Sequence, residues 1–135
     1  MTHLARLTYF SKPTVANPRG GALDDIAGHA ARWNAGHDVT GVLIATRDAY
    51  AQLLEGPRDT LSALACRIGA DERHACFTIM EFRPAPARVI PHWAMSLVRL
   101  KPLSGETPPD FEALKAMGPD ALLRLLANHA PAPAR

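Results

Sequence analysis

The chain has 135 residues, 47% of them hydrophobic and 21% charged, with 15 basic against 13 acidic residues for a net charge of +2. That length suits one domain whose core needs no metal or disulfide to hold it together. The basic residues are scattered singly, which argues against nucleic acid or an anionic membrane as partner, and no apolar run approaches a transmembrane helix.

Leu4 to Phe10 alternates like a strand, with Ala5, Leu7 and Tyr9 on one face. Lys12-Pro13 to Gly20-Gly21 is turn-rich and reads as loop. Leu23, Ile26, Ala27 and Ala30 then recur at helical spacing, which predicts an amphipathic helix over 21–34 that Gly36 ends. Val39 to Ala45 is apolar almost throughout, as a strand covered on both faces would be. Thr46-Arg47-Asp48 makes a hairpin turn, Ala49 to Leu54 returns, and Glu55-Gly56-Pro57 is expected to break that strand. Leu61, Leu64, Ala65 and Ile68 mark a second helix over 59–70. A fourth strand is expected over 74–82, an irregular connection at Pro84, Pro86 and Pro91, and a fifth strand over 93–100. Cys66 and Cys76, the only cysteines, sit among apolar residues and read as buried free thiols of a reducing cytosol, with a disulfide as the rival. The opening Met1-Thr2-His3-Leu4 lacks the layout of a signal peptide, so the expected location is cytoplasmic.

This order predicts an α+β fold, a ferredoxin-like βαββαβ sandwich with an extra strand, its sheet antiparallel and two helices on one face. Beyond Pro108-Pro109 two short helices are expected over 110–117 and 119–128, with Phe111, Leu114 and Met117 on one stripe and Leu122, Leu125 and Leu126 on the other. They are expected to cap the opposite sheet face, or else to meet a partner. The boundaries are 1–100 for the sheet domain, 101–129 for the helical cap and 130–135 for a disordered tail.

A few residues do not fit a plain core. Gln52 shares a strand face with Tyr50 and Leu54, and a buried amide needs partners. Tyr9 lies on the apolar face of the first strand, and Asn34 falls where a helix-capping residue would. Arg67 and Asp71 are spaced as an ion pair on the second helix, and Trp93 and Met95 alternate on the last strand. Taken singly each has a structural explanation. Taken together they place a few convergent polar groups around one apolar slot, as a flat ligand with a polar edge requires.

Six motifs in order resemble the BLUF family of flavin-binding blue-light sensors. They are Arg6-Leu7-Thr8-Tyr9-Phe10-Ser11, then Asn34 through Val39-Thr40-Gly41, then Tyr50-Ala51-Gln52-Leu53-Leu54-Glu55-Gly56, with Leu23 and Ile26 on the first helix. Arg67-Ile68 with Asp71-Glu72-Arg73-His74 follows, and then Arg88-Val89-Ile90-Pro91-His92-Trp93-Ala94-Met95. The resemblance implies a bound flavin, usually FAD, although the residues do not choose among FAD, FMN and riboflavin. It implies that Tyr9 is the light-driven electron and proton donor and that Gln52 stands between Tyr9 and the flavin. Asn34 would bond the pyrimidine edge, Arg67 and Asp71 would add polar contacts, and Ile26 and Ile68 would sandwich the ring. Trp93 and Met95 would couple Gln52 to the last strand. Asp38 stands where the family usually has Gly, and Asp tolerates the left-handed backbone such a turn needs.

The expected function is therefore a short, stand-alone photoreceptor that signals to an unidentified downstream protein, forms a homo-oligomer, and is not an enzyme. Phosphate loops, metal-ligand clusters and nucleophile–base spacings are missing from the sequence. Two rivals remain open at this point: a flavin-binding redox sensor or interaction scaffold without a photocycle, and an acylphosphatase-like small hydrolase.

Overall fold

The computed structural model describes residues 3–14, 21–46, 48–91, 94–100 and 108–130, with side-chain surroundings in the first helix given from residue 28 onward. Within these residues the chain runs β1 (Leu4–Pro13), α1 (Gly21–Ala35), β2 (Thr40–Ala45), β3 (Tyr50–Pro57), α2 (Arg58–Gly69), β4 (His74–Pro84), β5 (Ser96–Arg99), α3 (Phe111–Ala116) and α4 (Pro119–His129). The five strands form one sheet in the order β4-β1-β3-β2-β5. The pairings among the first four are antiparallel, as expected for a ferredoxin-like sandwich. The extra strand corrects the expectation of a wholly antiparallel sheet: β5 pairs parallel to β2, through Val42↔Ser96 to Ala45↔Arg99.

β1 and β3 occupy the centre and are covered on both faces, so both are buried almost throughout. Ala5, Leu7 and Tyr9 face α1 and α2, with Leu54, Leu61 and Ala65. Phe10, Ile44 and Leu53 face the other way, into a core closed by Phe111, Leu114, Leu122 and Leu126 of the C-terminal helices. The two short helices thus cap the sheet opposite α1 and α2. Asp110 starts α3 by accepting from Ala113 N at 2.9 Å, and Pro119 opens α4 where a missing N–H does no harm. α3 is tied to the sheet by Phe111 N, which donates to Asp48 Oδ1 at 3.0 Å, by the edge-on contact of Phe111 with Phe10, and by Lys12 Nζ, 4.7 Å from the Phe111 ring centre.

Three local expectations are corrected. Glu55-Gly56-Pro57 does not break β3: pairing with Arg6, Ala5 and Leu4 carries the strand to Pro57, because Pro lacks a donor only at the last rung. Cys66 and Cys76 are free but exposed, since α2 turns Cys66 outward and a bulge takes Cys76 out of the alternation. β5 spans four residues, with Met95 just ahead of it, and Trp93 lies outside the described residues. The expected disordered tail also lies outside them beyond Ala130.

β4 is an edge strand with two dislocations against β1. One falls between the pairs Tyr9↔Ile79 and Thr8↔Glu81, and the other between Phe10↔Thr78 and Lys12↔Ala75, where Cys76 takes φ 55°. Gly41 in β2 admits no side chain, because a Cβ there would lie 2.5 Å from the Leu53 carbonyl oxygen.

Candidate functional site: a cleft between two helices

α1 packs over β2 and β5, while α2 packs over β1, β3 and β4. The helices therefore part above the centre of the sheet and leave a cleft of about 190 Å³. Its walls are apolar, formed by Ala30, Leu43, Leu54, Leu64 and Ile68. Its polar groups include Tyr9, Asn34, Gln52, Arg67, Asp71, Arg73 and His74, with His29 and Tyr50 also on the lining. Six residues singled out from the sequence thus line one cavity: Tyr9, Asn34, Gln52, Arg67, Ile68 and Asp71. The Ile26 side chain lies outside the described residues, as does Trp93.

Tyr9 and Gln52 are directly opposed in the β1–β3 register, which brings their side chains together over the cleft floor. The Tyr9 hydroxyl donates to Gln52 Oε1, and both residues are buried. Gln52 Nε2 donates to Met95 Sδ at 3.4 Å. Burial raises the Tyr9 pKa well above that of an ordinary phenol, helped by the negative charge of Asp71, so the hydroxyl keeps its proton. Phe77 packs against the same ring at 4.8 Å between centroids.

Asn34 is fully buried at the end of α1. Its carbonyl accepts from His37 N and Val39 N, its Nδ2 donates to Ala94 O at 2.7 Å, and the residue lines the cleft. The turn that follows needs Asp38 at φ 59°, a left-handed conformation that Asp adopts as expected. Trp33 stacks flat on His37, 3.8 Å between ring centres, and the Arg67 guanidinium lies 5.2 Å from the indole centre.

Arg67 and Asp71 do not form the helix-surface pair their spacing suggests. α2 ends at Gly69, and Asp71 turns back to accept from Arg73 through its backbone N–H and its guanidinium, the latter at 2.6 Å. The hydrogen bond from the Arg73 side chain lowers the Asp71 pKa to about 2. His74 went unassigned in the sequence reading although it stands in a quoted motif. Its Nε2 faces the Ile68 carbonyl, which only accepts, so that nitrogen carries the proton. Nδ1 then accepts from the Ser11 hydroxyl at 2.8 Å, and His74 ties the end of α2 to β1. Leu43 was missed as a lining residue because it sits in a strand that is apolar on both faces, and Tyr50, although placed on the Gln52 face, was not assigned to the site.

An apolar slot with amide groups and guanidinium donors at its edge fits a planar ring whose rim carries carbonyl oxygens and an N–H. A family model described as sensors of blue-light using FAD matches residues 4–96. The chain belongs to the BLUF family. It is 32% identical over 135 residues to photoactivated adenylate cyclase subunit beta of Euglena gracilis, covering 93% of this chain and 16% of that protein. The counterpart in Euglena longa is 29% identical over 133 residues, covering 91% and 15%. The chain thus spans a small fraction of those relatives' length. Among solved structures it is similar to the dark state of the BLUF protein BlrB, with 29% identity, a TM-score of 0.66, and 91% and 84% of the two chains covered. The ground state of BlsA shares the fold at 23% identity with a TM-score of 0.79, over 98% and 91% of the chains. BLUF domains are flavin-binding blue-light sensors, and the α+β architecture found here is theirs. No helix among the described residues is long and apolar enough to cross a membrane.

Proposed function

We propose that this BLUF chain is a blue-light photoreceptor in which Tyr9 and Gln52 form the photoactive pair and FAD occupies the cleft between α1 and α2. The observation that carries the proposal is the position of the Gln52 amide between a hydroxyl that donates to its oxygen and a thioether that accepts from its nitrogen. When bound, the flavin supplies blue-light absorption and an excited state that accepts an electron. Asn34 and the Arg67 guanidinium would hold the ring's polar edge, with Leu64 and Ile68 against its face.

The chain's own part follows from donor and acceptor bookkeeping. Tyr9 is buried and protonated, so it can give up an electron and a proton together without leaving a charge in an apolar site. Gln52 has one accepting and one donating end. Reversing the amide turns its oxygen, an acceptor, toward Met95, whose sulfur has no hydrogen to offer, and the Gln52–Met95 bond is lost. Met95 leads directly into β5, a four-residue edge strand whose Val98 packs against the cap-side core. Movement at Met95 therefore has a short path to α3 and α4, and from there to an effector protein. On this reading the chain senses rather than catalyses, acts in the cytoplasm, and associates with further copies of itself through its cap.

The test is an absorption spectrum of the purified protein in the dark and after blue illumination. Flavin bands that shift slightly to the red and recover in the dark are expected. Flavin bands that do not move would leave a flavin-binding module without a photocycle, and a protein that refuses added FAD would overturn the reading altogether.

A further inference from the structure

The connection from β4 to β5 contains a cluster of bonds that the photochemistry does not use. Glu55 is completely buried in β3, and both of its carboxylate oxygens are engaged. Arg6 Nε donates to Oε2 at 3.0 Å, Val89 N donates to the same oxygen at 3.0 Å, and Ile90 N donates to Oε1 at 2.8 Å. The Arg6 Nη2 group also reaches Ala87 O at 3.0 Å. Charge-assisted bonds of this kind are the strong ones, and here they fasten Ala87, Val89 and Ile90 of an irregular segment to the two central strands.

Arg88 fastens the same segment in another direction. Its Nη1 donates to Thr40 Oγ1 at 2.9 Å and to Glu55 O at 3.0 Å. Its Nη2 donates to Asp38 O at 2.8 Å and to Asp38 Oδ1 at 2.9 Å. The guanidinium is mostly buried while the Asp38 carboxylate is mostly exposed, so the backbone carbonyls and the hydroxyl are the durable partners. Asp38 belongs to the turn that follows α1, and Thr40 opens β2.

The consequence lies a few residues downstream. Ala94 accepts from Asn34, and Met95 accepts from Gln52. The residues that receive bonds from the two site amides stand between Ile90, which is held by Glu55, and Ser96, which is held by β2. The Ile90 side of that frame is tied through Glu55 to β3, which carries Gln52, and through Arg88 to the turn after α1, the helix that carries Asn34. The Ser96 side is tied to β2. We propose that Arg88, with Glu55 as its counterpart, is a positioning residue that fixes the register of Ala94 and Met95 against Asn34 and Gln52 and so sets how fast the site returns to its dark arrangement. This rests on the proposed photocycle. Neither Arg88 nor Glu55 lines the cleft, so they act through the segment they hold and not on the cofactor.

Loosening the anchor leaves Met95 more conformations to search before it docks on Gln52 again, which slows the return. The experiment compares the wild type, Arg88→Gln and the milder Thr40→Val, each as purified with its flavin. In Arg88→Gln the dark spectrum and the size of the light-induced shift are expected to stay as in the wild type, while dark recovery slows by about threefold or more, the worth of one lost net hydrogen bond. Thr40→Val, which removes one acceptor, should slow recovery by a smaller factor. Amide hydrogen exchange in the dark provides a readout that needs no illumination: Val89, Ile90 and Met95 should exchange faster in Arg88→Gln, with β1 unchanged. Recovery rates of both variants equal to the wild type would overturn the proposal, as would unchanged exchange at Met95. Should Arg88→Gln fail to fold, Thr40→Val decides by the same two readouts. Should the wild type show no photocycle, the functional reading fails, and the anchor stands or falls by hydrogen exchange alone.

Discussion

The two faces of the sheet are built from alternate residues of the same strands, yet they are packed for different ends. On the side of α3 and α4, Phe10, Ile44, Leu53, Leu114, Leu122 and Leu126 interlock into a continuous apolar core. On the side of α1 and α2 the helices stand apart, and the space between them is floored by Tyr9 and Gln52, which need one another because each buries polar atoms. One face supplies stability, whereas the other gives some up to keep a ligand site open. The strand order allows this, since β1 and β3 sit at the centre and present one set of side chains to each layer.

The sharpest way to break this comparison is Tyr9→Phe. The variant should fold and keep its flavin, because the ring packing against Phe77 survives. It should lose the reversible red shift completely, as read from the light-minus-dark difference spectrum, and a normal shift would remove Tyr9 from the chemistry. Next in size is a matched pair of truncations. Leu126→Ala in the cap-side core should cost about 2–5 kcal/mol in urea denaturation, as buried leucines do. Leu64→Ala on the half-buried cleft wall should cost about 1 kcal/mol and show its effect in weaker flavin retention. Equal losses at the two positions would mean that the faces do not divide the work. Thr8 is a flaw on the dense side: its hydroxyl is buried with no hydrogen-bond partner in the structure. Thr8→Val should therefore raise stability by about 1 kcal/mol, measured by the same denaturation. The smallest effect concerns acid. The Asp71 pKa is depressed from 3.8 to about 2 by Arg73, so its contribution is fully present above about pH 4 and is lost as pH falls through about 2. Asp71→Asn should flatten the acid limb of stability in that window only slightly, because both partners are partly exposed.

Alternation and helical spacing were enough to read the element order, the sandwich, and the placement of the C-terminal helices on the second face. They also put Tyr9 and Gln52 on inward-facing positions. The register that opposes them was legible only through the resemblance, since strand pairing is a long-range property that no local pattern encodes. The misreadings share a cause. Glu55-Gly56-Pro57 looks like a strand terminator locally, but Arg6 and the backbone of Val89 and Ile90 give Glu55 partners far away in sequence. Arg67 and Asp71 look like a pair by helical spacing, but the helix ends first and Arg73 is nearer. Cys76 looks buried by its neighbours, but a bulge reverses its direction.

That bulge and its companion at Met80 have a consequence for the molecule's behaviour in crowded solution. A straight edge of eleven residues would offer an unbroken row of backbone donors and acceptors, a template on which a second chain could extend the sheet and seed fibrils. Two dislocations, with the backbone of Cys76 turned to φ 55°, break that row into short pieces that no regular strand can match. The opposite edge, β5, is four residues long and offers little more. Contact between copies is thereby left to side-chain surfaces, which can release as well as bind.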